Sequence, residues 1–149
     1  MKNVKHDKYE TLRLKNQLCF PIYAVSNLIT RKYKPFLDKL ALTYTQYIVM
    51  MVLWEFGGMT EGEIGKIVHL DSGTLAPLLK RMEKQGYITR NRPESNENKL
   101  FVELTNAGDA LKDQAIGVPC EMEGCLNLTY DEQRKLKELL DKAIIKMEV

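Results

Sequence analysis

The stretch from Leu70 to Arg92 constrains the fold of this 149-residue chain more than any other part of the sequence. It opens with Asp71 and Ser72, residue types that favour a helix N-cap, and it reaches Gly86, which tolerates the left-handed conformation that ends helices. Between these points, two different faces recur with helical spacing. The apolar face consists of Leu75, Leu78, Leu79 and Met82. The opposite face, polar or basic apart from its proline, consists of Thr74, Pro77, Lys80, Arg81 and Lys84.

The residues around this helix predict a winged helix-turn-helix. Thr60 and Glu63 have the spacing of a capping box and open a short preceding helix that runs to about His69. After Gly86, residues 87–90 and 100–104 read as two strands joined by a polar loop, which is a hairpin. A short helix with one apolar and one basic face, followed by a hairpin wing, suits the major groove of DNA.

Further helices flank this region on both sides. Apolar periodicity predicts a long helix over about residues 11–40, with a kink or a late start because Pro21 removes a backbone donor. The predicted fold is mainly α with a small β-hairpin wing: one domain with a winged helix-turn-helix at about 43–104 and dimerisation helices at about 11–40 and 106–149. The terminal helices have little to bury against in a core of this size, so we expect a homodimer that packs them together.

Composition limits the classes of protein that fit. With 22 Lys+Arg against 20 Asp+Glu, net charge argues neither for nor against nucleic acid. No apolar run approaches the ~18 residues that a membrane span needs, so we expect a soluble cytoplasmic protein with no membrane association. Three cysteines argue against a disulfide framework and for buried or reactive thiols. Cys120 and Cys125 with only two histidines in the chain make a poor zinc site, so no metal or cofactor is expected.

Five short motifs resemble the MarR family of winged-helix regulators, and within it the organic-hydroperoxide-sensing repressors called OhrR. The motifs are NQLCF (16–20), YKP (33–35), TYTQY (43–47), DSGTL (71–75) and PLLKRME (77–83). The resemblance runs from about residue 14 to 104. It implies a homodimeric repressor that binds a near-palindromic double-stranded DNA operator and is released when an organic hydroperoxide oxidises it.

Within that resemblance, Cys19 is the sensing residue. Considered alone, a free cysteine on a helix is usually a small buried hydrophobe. The family instead implies that Cys19 reacts as a thiolate to give a sulfenic acid, the first step of cysteine oxidation. Two tyrosine hydroxyls of the partner subunit hydrogen-bond the sulfur in the family, and they correspond to Tyr33 and Tyr44. Tyr23 and Tyr47 are further candidates.

The family also implies a second step after the sulfenic acid has formed. In two-cysteine members the sulfenic acid forms a disulfide with a thiol of the other subunit near the C-terminal helices, whereas in one-cysteine members a small thiol completes the reaction. Cys120 and Cys125 lie in the right region, which favours the two-cysteine type. We prefer Cys125 as the resolving thiol because it is nearer the last helix. The alternative is that both are incidental loop cysteines.

The predicted DNA contacts lie on the polar face of the helix and on the wing. Ser72 at the helix N-terminus suits a phosphate, Thr74 could meet base edges, and Lys80 is expected on the DNA backbone. The family has Asp-x-Arg at the wing tip, with the arginine in the minor groove. Here Asn98 replaces that arginine, so Arg92 or Lys99 is expected to replace the contact. The full predicted set is Ser72, Thr74, Pro77, Lys80, Arg81, Arg90, Arg92 and Lys99.

Three other functions remain open from the sequence. A regulator of the same fold could respond to a small ligand in the dimer cleft, in which case Cys19→Ser would keep its response. A thiol peroxidase would use the same cysteine but would leave the helix-turn-helix and wing unexplained. A protein-interaction module would not bind an operator. We therefore predict a DNA-binding regulator that is not an enzyme.

Overall fold

A computed structural model describes residues 8–92, 99–122 and 124–147. Three short 3-10 turns accompany the helices, at Glu10–Leu12, Leu14–Asn16 and Asp38–Leu40. The mainly helical architecture with a small antiparallel wing confirms the predicted fold class. The helices are α1 Cys19–Leu37, α2 Tyr44–Phe56, α3 Glu61–Val68, α4 Ser72–Lys84, α5 Asn106–Ala115, α6 Val118–Met122 and α7 Tyr130–Met147, and the strands are β1 Met59–Thr60, β2 Ile88–Asn91 and β3 Phe101–Leu104.

The wing is a three-stranded antiparallel sheet in the order β1-β3-β2. Ile88 pairs with Leu104 in the predicted hairpin, and Met59 pairs with Val102 on the other side of β3. The sequence did not predict β1, because a strand of two residues is too short to show alternation. The wing tip that we singled out in the sequence, Asn96 to Asn98, lies outside the described residues.

Side-chain caps account for where the helices begin. Thr43 caps α2 through a capping box with Gln46, and Thr60 caps α3 in the same way with Glu63. The predicted cap of α4 is also present, with the Asp71 carboxylate accepting from the Thr74 backbone N–H at 2.9 Å. Each cap satisfies backbone donors that the first turn leaves without partners. Each cap involves residues only three positions apart, which is why the caps of α3 and α4 could be predicted from the sequence.

The predicted long helix over residues 11–40 is shorter than expected at both ends. α1 begins only at Cys19, so Pro21 lies in its first turn, where a backbone N–H has no intrahelical partner to lose. The preceding residues form two 3-10 turns instead. Of the two outcomes that Pro21 allowed, the late start is the one observed.

The core forms around α2 and the helix-turn-helix. Val49, Met50 and Leu53 of α2 are at most 1% exposed. They belong to one cluster with apolar residues of α3, α4 and the sheet: Ile64, Leu75, Leu79, Met82, Ile88 and Val102. The short helix α6 adds Val118 and Met122, and it was not predicted because five residues show no clear periodicity. Because Leu75, Leu79 and Met82 of α4 are buried in this core, the opposite face of α4 points to solvent.

The first and last helices leave large apolar side chains uncovered in the single chain. On and just before α1, Leu18 is 78% exposed and Leu28 57% exposed. α7 has no buried residue in its described length. Its exposed apolar side chains are Leu139, Leu140, Ile144, Ile145 and Met147. Apolar surface of this extent is what a partner subunit would cover.

No single helix in the described parts of the chain is long and apolar enough to cross a membrane. The segments Cys19–Leu40 and Tyr44–Phe56 meet that test only as a pair, with a bend of 68° between them. The second of these is α2, whose apolar residues form the centre of the core.

Candidate functional site

Tyr33, Tyr44 and Tyr47 form a tyrosine cluster where α1 meets α2. The ring centroids of Tyr33 and Tyr44 are 4.8 Å apart, and those of Tyr33 and Tyr47 are 6.0 Å apart. Tyr47 is only 3% exposed and packs edge-on against Trp54, whereas the other two rings are half-buried. Because Tyr44 is the first residue of α2, the turn that joins the two helices sets its position. The structure thus brings together the two tyrosines expected at the sensing site and Tyr47, one of the two further candidates.

Cys125 is near enough to this cluster, within the same chain, for its charge to act on Tyr33 and Tyr44. It follows α6 in a turn in which its backbone N–H donates to the Met122 carbonyl at 3.0 Å, and it is half-buried. Burial first, and then the neighbouring Tyr44, Tyr47 and Cys125 charges, raise the pKa of Tyr33. Burial and then the Cys125 charge raise the pKa of Tyr44. Both phenols therefore keep their protons at neutral pH and remain hydrogen-bond donors, near a thiol.

Cys19 is far from the cluster in its own chain. It is the exposed first residue of α1, where free backbone N–H groups and the helix dipole favour an anion. Tyr33 is on the same helix nearly four turns later, about 21 Å away at the α-helical rise of 1.5 Å per residue. Tyr23 lies one turn after Cys19 and is 67% exposed. Within one chain, Cys19 and the tyrosine cluster are therefore two separate halves of the expected site.

The raised pKa values of Tyr33 and Tyr44 predict a loss of stability at alkaline pH. The folded state favours the neutral phenols, so the unfolded chain loses its protons first, and the free energy of unfolding falls as pH rises through about 10 toward the folded-state pKa. Urea unfolding from about pH 8 to about pH 11 should show this fall, and Tyr33→Phe or Tyr44→Phe should make it shallower. Tyr130→Phe, at an 80% exposed ring, controls for loss of a hydroxyl. Equal slopes in wild type and both cluster variants would contradict the prediction.

The solvent face of α4 carries the predicted DNA-contact residues of that helix. Ser72, Pro77, Lys80 and Arg81 are all exposed on this face. Thr74 is exposed too, but its hydroxyl donates to the Asp71 carboxylate at 2.9 Å, and this bond together with the backbone bond lowers the pKa of Asp71. The hydroxyl of Thr74 is thus held in one orientation with its oxygen lone pairs toward solvent or a ligand.

Arg90 has an intramolecular partner that the sequence did not reveal. Its guanidinium pairs with the Glu83 carboxylate at 2.7 Å, and its side chain is only 19% exposed. This ion pair joins β2 to the last turn of α4. As a DNA contact Arg90 stays a prediction, but its geometry supports a structural role.

A cleft of about 730 Å³ lies between α3, the N-terminus of α4 and the base of the wing. Lys66, Arg92 and Lys99 line it together with Ser72. Lys66 was missed in the sequence because one lysine on a short helix forms no pattern. Hydrogen bonds from Thr60 chiefly, and then the charges of Lys99 and Lys66, lower the pKa of Glu63. The cleft connects the predicted contacts of α4 with those of the wing, and its lining carries Glu61 and Asp71 beside the three basic residues.

Within residues 8–92, 99–122 and 124–147, no group of three or more His, Cys, Asp or Glu side chains is positioned to hold an ion. The features that a function must explain are two exposed thiols, Cys19 and Cys120, the half-buried thiol of Cys125 near the tyrosine cluster, and a basic face on a helix-turn-helix.

Comparison with known proteins decides the family. Residues 31–115 match the family model described as transcriptional regulator SarA/Rot. The organic hydroperoxide resistance transcriptional regulator of Bacillus subtilis is 43% identical over 134 residues, which cover 90% of this chain and 91% of that protein. The chain belongs to the MarR/SarA family of winged-helix transcriptional regulators. Its relatives and structural neighbours are regulators of transcription and not enzymes.

Solved structures of this family agree with the fold. Reduced AbfR bound to DNA is 34% identical, has a TM-score of 0.80, and matches 95% of this chain and 99% of that one. The structure described as disulfide-formed AbfR is 37% identical, with a TM-score of 0.62 over 94% of this chain and 95% of that one. AbfR comes from Staphylococcus epidermidis. The resemblance to the MarR family and to hydroperoxide-responsive regulators is thereby confirmed.

Proposed function

We propose that this protein is a homodimeric, redox-sensing repressor that leaves its DNA operator when an organic hydroperoxide oxidises Cys19. The observation that supports it is the separation of two half-sites: a thiol at one end of α1 and a tyrosine cluster with a second thiol at the other. The Bacillus relative is named for resistance to organic hydroperoxides. We place the working protein in the cytoplasm, where its DNA partner is.

A two-fold dimer would complete the site. In an isologous dimer, if residue i of one subunit contacts residue j of its partner, then j also contacts i. Two antiparallel copies of α1 would set each Cys19 beside the partner subunit's Tyr33 and Tyr44, which gives two equivalent sites. The exposed apolar side chains of α1 and α7 support such an interface, because burying them on association is favourable.

The sensing step needs an anionic sulfur and a way to stabilise it. The Cys19 thiolate attacks one peroxide oxygen, the S–O bond forms as the O–O bond breaks, and two electrons pass from sulfur to the hydroperoxide. The alkoxide that leaves takes a proton and becomes an alcohol. The partner's Tyr33 and Tyr44 hydroxyls, kept protonated by their raised pKa, donate to the sulfur and hold it as a thiolate.

The resolving step is a condensation with Cys125 of the partner subunit. The Cys125 sulfur attacks the sulfenic sulfur of Cys19, a disulfide forms, and the hydroxyl leaves as water after taking the Cys125 proton. The length of α1 argues against a bond within one chain, since a disulfide needs Cα atoms roughly 4.4–6.8 Å apart and Tyr33, on which the Cys125 charge acts, lies about 21 Å along α1 from Cys19. The disulfide-formed state of AbfR supports a two-cysteine mechanism.

A non-reducing gel tests the resolving residue. Treated with cumene hydroperoxide, the wild type and Cys120→Ser should both give a band at about twice the 17.2 kDa of the chain. Cys125→Ser should stay at monomer size, because the thiol near the tyrosine cluster is gone. Cys120 is the matched control, since it is exposed on α6. If the band survives in Cys125→Ser, or disappears in Cys120→Ser, the assignment to Cys125 is wrong.

On DNA, α4 would enter the major groove and the wing would reach the adjacent minor groove. The N-terminus of α4 with Ser72 would meet a phosphate, Thr74 and Pro77 would approach base edges, and Lys80 with Arg81 would contact the backbone. Lys66, Arg92 and Lys99 would extend this footprint along the cleft, with Arg92 or Lys99 replacing the usual wing arginine. Two-fold symmetry gives a near-palindrome with half-sites about 10 base pairs apart, or a multiple of that.

A further inference from the structure

Gln46 is the one polar residue that the described part of the chain buries in its core, at 5% exposure. It lies on α2, two residues after Tyr44. Its side-chain carbonyl accepts from the Thr43 backbone N–H at 2.9 Å, which completes the capping box of α2. Its amide donates to the side-chain carbonyl of Gln85 at 2.9 Å. Leaving either end of a buried amide without a hydrogen-bond partner costs free energy. The two partners of Gln46, which are Thr43 and Gln85, are therefore held in fixed positions relative to it.

Gln85 follows directly after α4 and completes the connection. Its amide donates to the Ala41 carbonyl at 2.8 Å, in the turn between α1 and α2. Tyr87 donates from its hydroxyl to the neighbouring Leu40 carbonyl at 3.2 Å. Ala41 has a φ of 52°, a left-handed conformation that an alanine rarely adopts and that surrounding contacts must hold. The end of α4 is thus tied by side chains to the turn that precedes Tyr44.

An amide at position 46 accepts from the Thr43 N–H and donates to the Gln85 carbonyl at the same time, which an ionised carboxylate cannot do. A carboxylate there would still accept from the Thr43 N–H, but it has no proton to give to the Gln85 carbonyl. Gln85 in turn must accept from Gln46 and donate to Ala41 at once. The pair therefore couples the start of α2, where Tyr44 lies, to the segment that ends α4.

We propose that the Gln46–Gln85 link transmits the oxidation state of the tyrosine cluster to the DNA-binding helix α4. This rests on the function proposed above. When Cys19 passes from thiolate to disulfide, the partner's Tyr33 and Tyr44 lose their charged acceptor, and the turn between α1 and α2 takes up a different arrangement. Because Gln85 and Tyr87 are hydrogen-bonded to that turn, the C-terminal end of α4 moves with it. The two α4 helices of the dimer then no longer have the separation that the two half-sites of the operator require.

Trp54 offers a matched control in the same helix. Its indole N–H donates to the Gly108 carbonyl at 3.0 Å, so it also joins α2 to a later helix by one part-buried hydrogen bond. That bond leads to α5 and not to α4. Trp54→Phe removes this bond but keeps an aromatic ring against Tyr47 of the tyrosine cluster. The substitution should therefore lower stability without changing how oxidation acts on DNA affinity.

The test compares operator affinity before and after oxidation. The full-length wild type, Gln46→Glu, Gln85→Ala, their double variant and Trp54→Phe are measured on a duplex that the reduced protein selects from a random-sequence pool. Each Kd is determined in reductant and after cumene hydroperoxide, and the rate of Cys19 oxidation is followed separately. Both single link variants should lower the ratio of oxidised to reduced Kd by about two- to tenfold, the size of one net hydrogen bond. The double variant should fall no further, since the residues act as one unit.

The remaining readouts separate transmission from a purely structural role. The Cys19 oxidation rate and the reduced-state Kd should stay within about twofold of wild type in the link variants, while Trp54→Phe lowers Tm and keeps the wild-type ratio. A wild-type ratio in both single link variants, or an equal loss of affinity in both oxidation states, would overturn the proposal. If the wild type itself keeps its affinity after oxidation, the proposed function fails, and the link has no signal to transmit.

Discussion

Gly108→Ala is expected to lower the free energy of unfolding by about 3 kcal/mol or more, because the added methyl group would overlap neighbouring atoms. A Cβ at this position would overlap the Tyr87 carbonyl oxygen and would lie 3.3 Å from a Leu104 methyl. Both neighbours are fixed: Tyr87 O accepts from the Thr105 backbone N–H at 3.0 Å, and Leu104 pairs in the sheet. The clash can be relieved only by moving α5 away from the wing, which also breaks the Trp54 bond to Gly108.

Gly62→Ala is the control for this substitution. It is also a helical glycine, on α3, but nothing lies within 4 Å of the Cβ that it would gain. Alanine should therefore be neutral there or stabilise the helix by up to about 1 kcal/mol. Urea and thermal unfolding of the two variants measure the difference. If Gly108→Ala unfolds at the wild-type denaturant midpoint, α5 does not pack on the wing as closely as the Tyr87 contact requires.

The elements that could be predicted from the sequence are those fixed by local chemistry. The caps at Thr60 and Asp71, the stop at Gly86 and the two faces of α4 depend on residues within one or two turns of each other. β1 could not be predicted, because two residues become a strand only when β3 is beside them. Pro21 predicted that α1 either kinks or starts late, but the sequence could not decide between these two outcomes.

The features of the candidate site also fall into those that the sequence could predict and those that it could not. The roles of Cys19, Tyr33 and Tyr44 came from a family resemblance, since no periodicity distinguishes a reactive thiol from a buried one. The position of Cys125 near the tyrosines depends on how the turn after α6 folds back on α1, which is a long-range contact. The ion pair of Arg90 with Glu83 and the Gln46–Gln85 link are likewise contacts across the fold. Sequence alone could name these residues but not their partners.

The second large effect concerns the sensing thiol itself. Cys19→Ser should fold and bind the operator like the reduced wild type, because the side chain is exposed and serine is close to it in volume. It should not respond to hydroperoxide, since a hydroxyl at this position does not form the thiolate that attacks the peroxide bond. The wild type should lose about ten- to hundredfold in affinity on oxidation, the usual range for coupling between two sites. Cys120→Ser, at another exposed cysteine, should respond like the wild type.

The most direct measurement is therefore release from the selected duplex by cumene hydroperoxide, followed by fluorescence anisotropy for wild type and Cys19→Ser side by side. We expect the wild type to dissociate, to rebind after dithiothreitol reduces the disulfide, and the Cys19→Ser protein to stay bound throughout. Release of Cys19→Ser to the same extent as the wild type would contradict the assignment of Cys19 as the sensor, and with it the proposed redox switch.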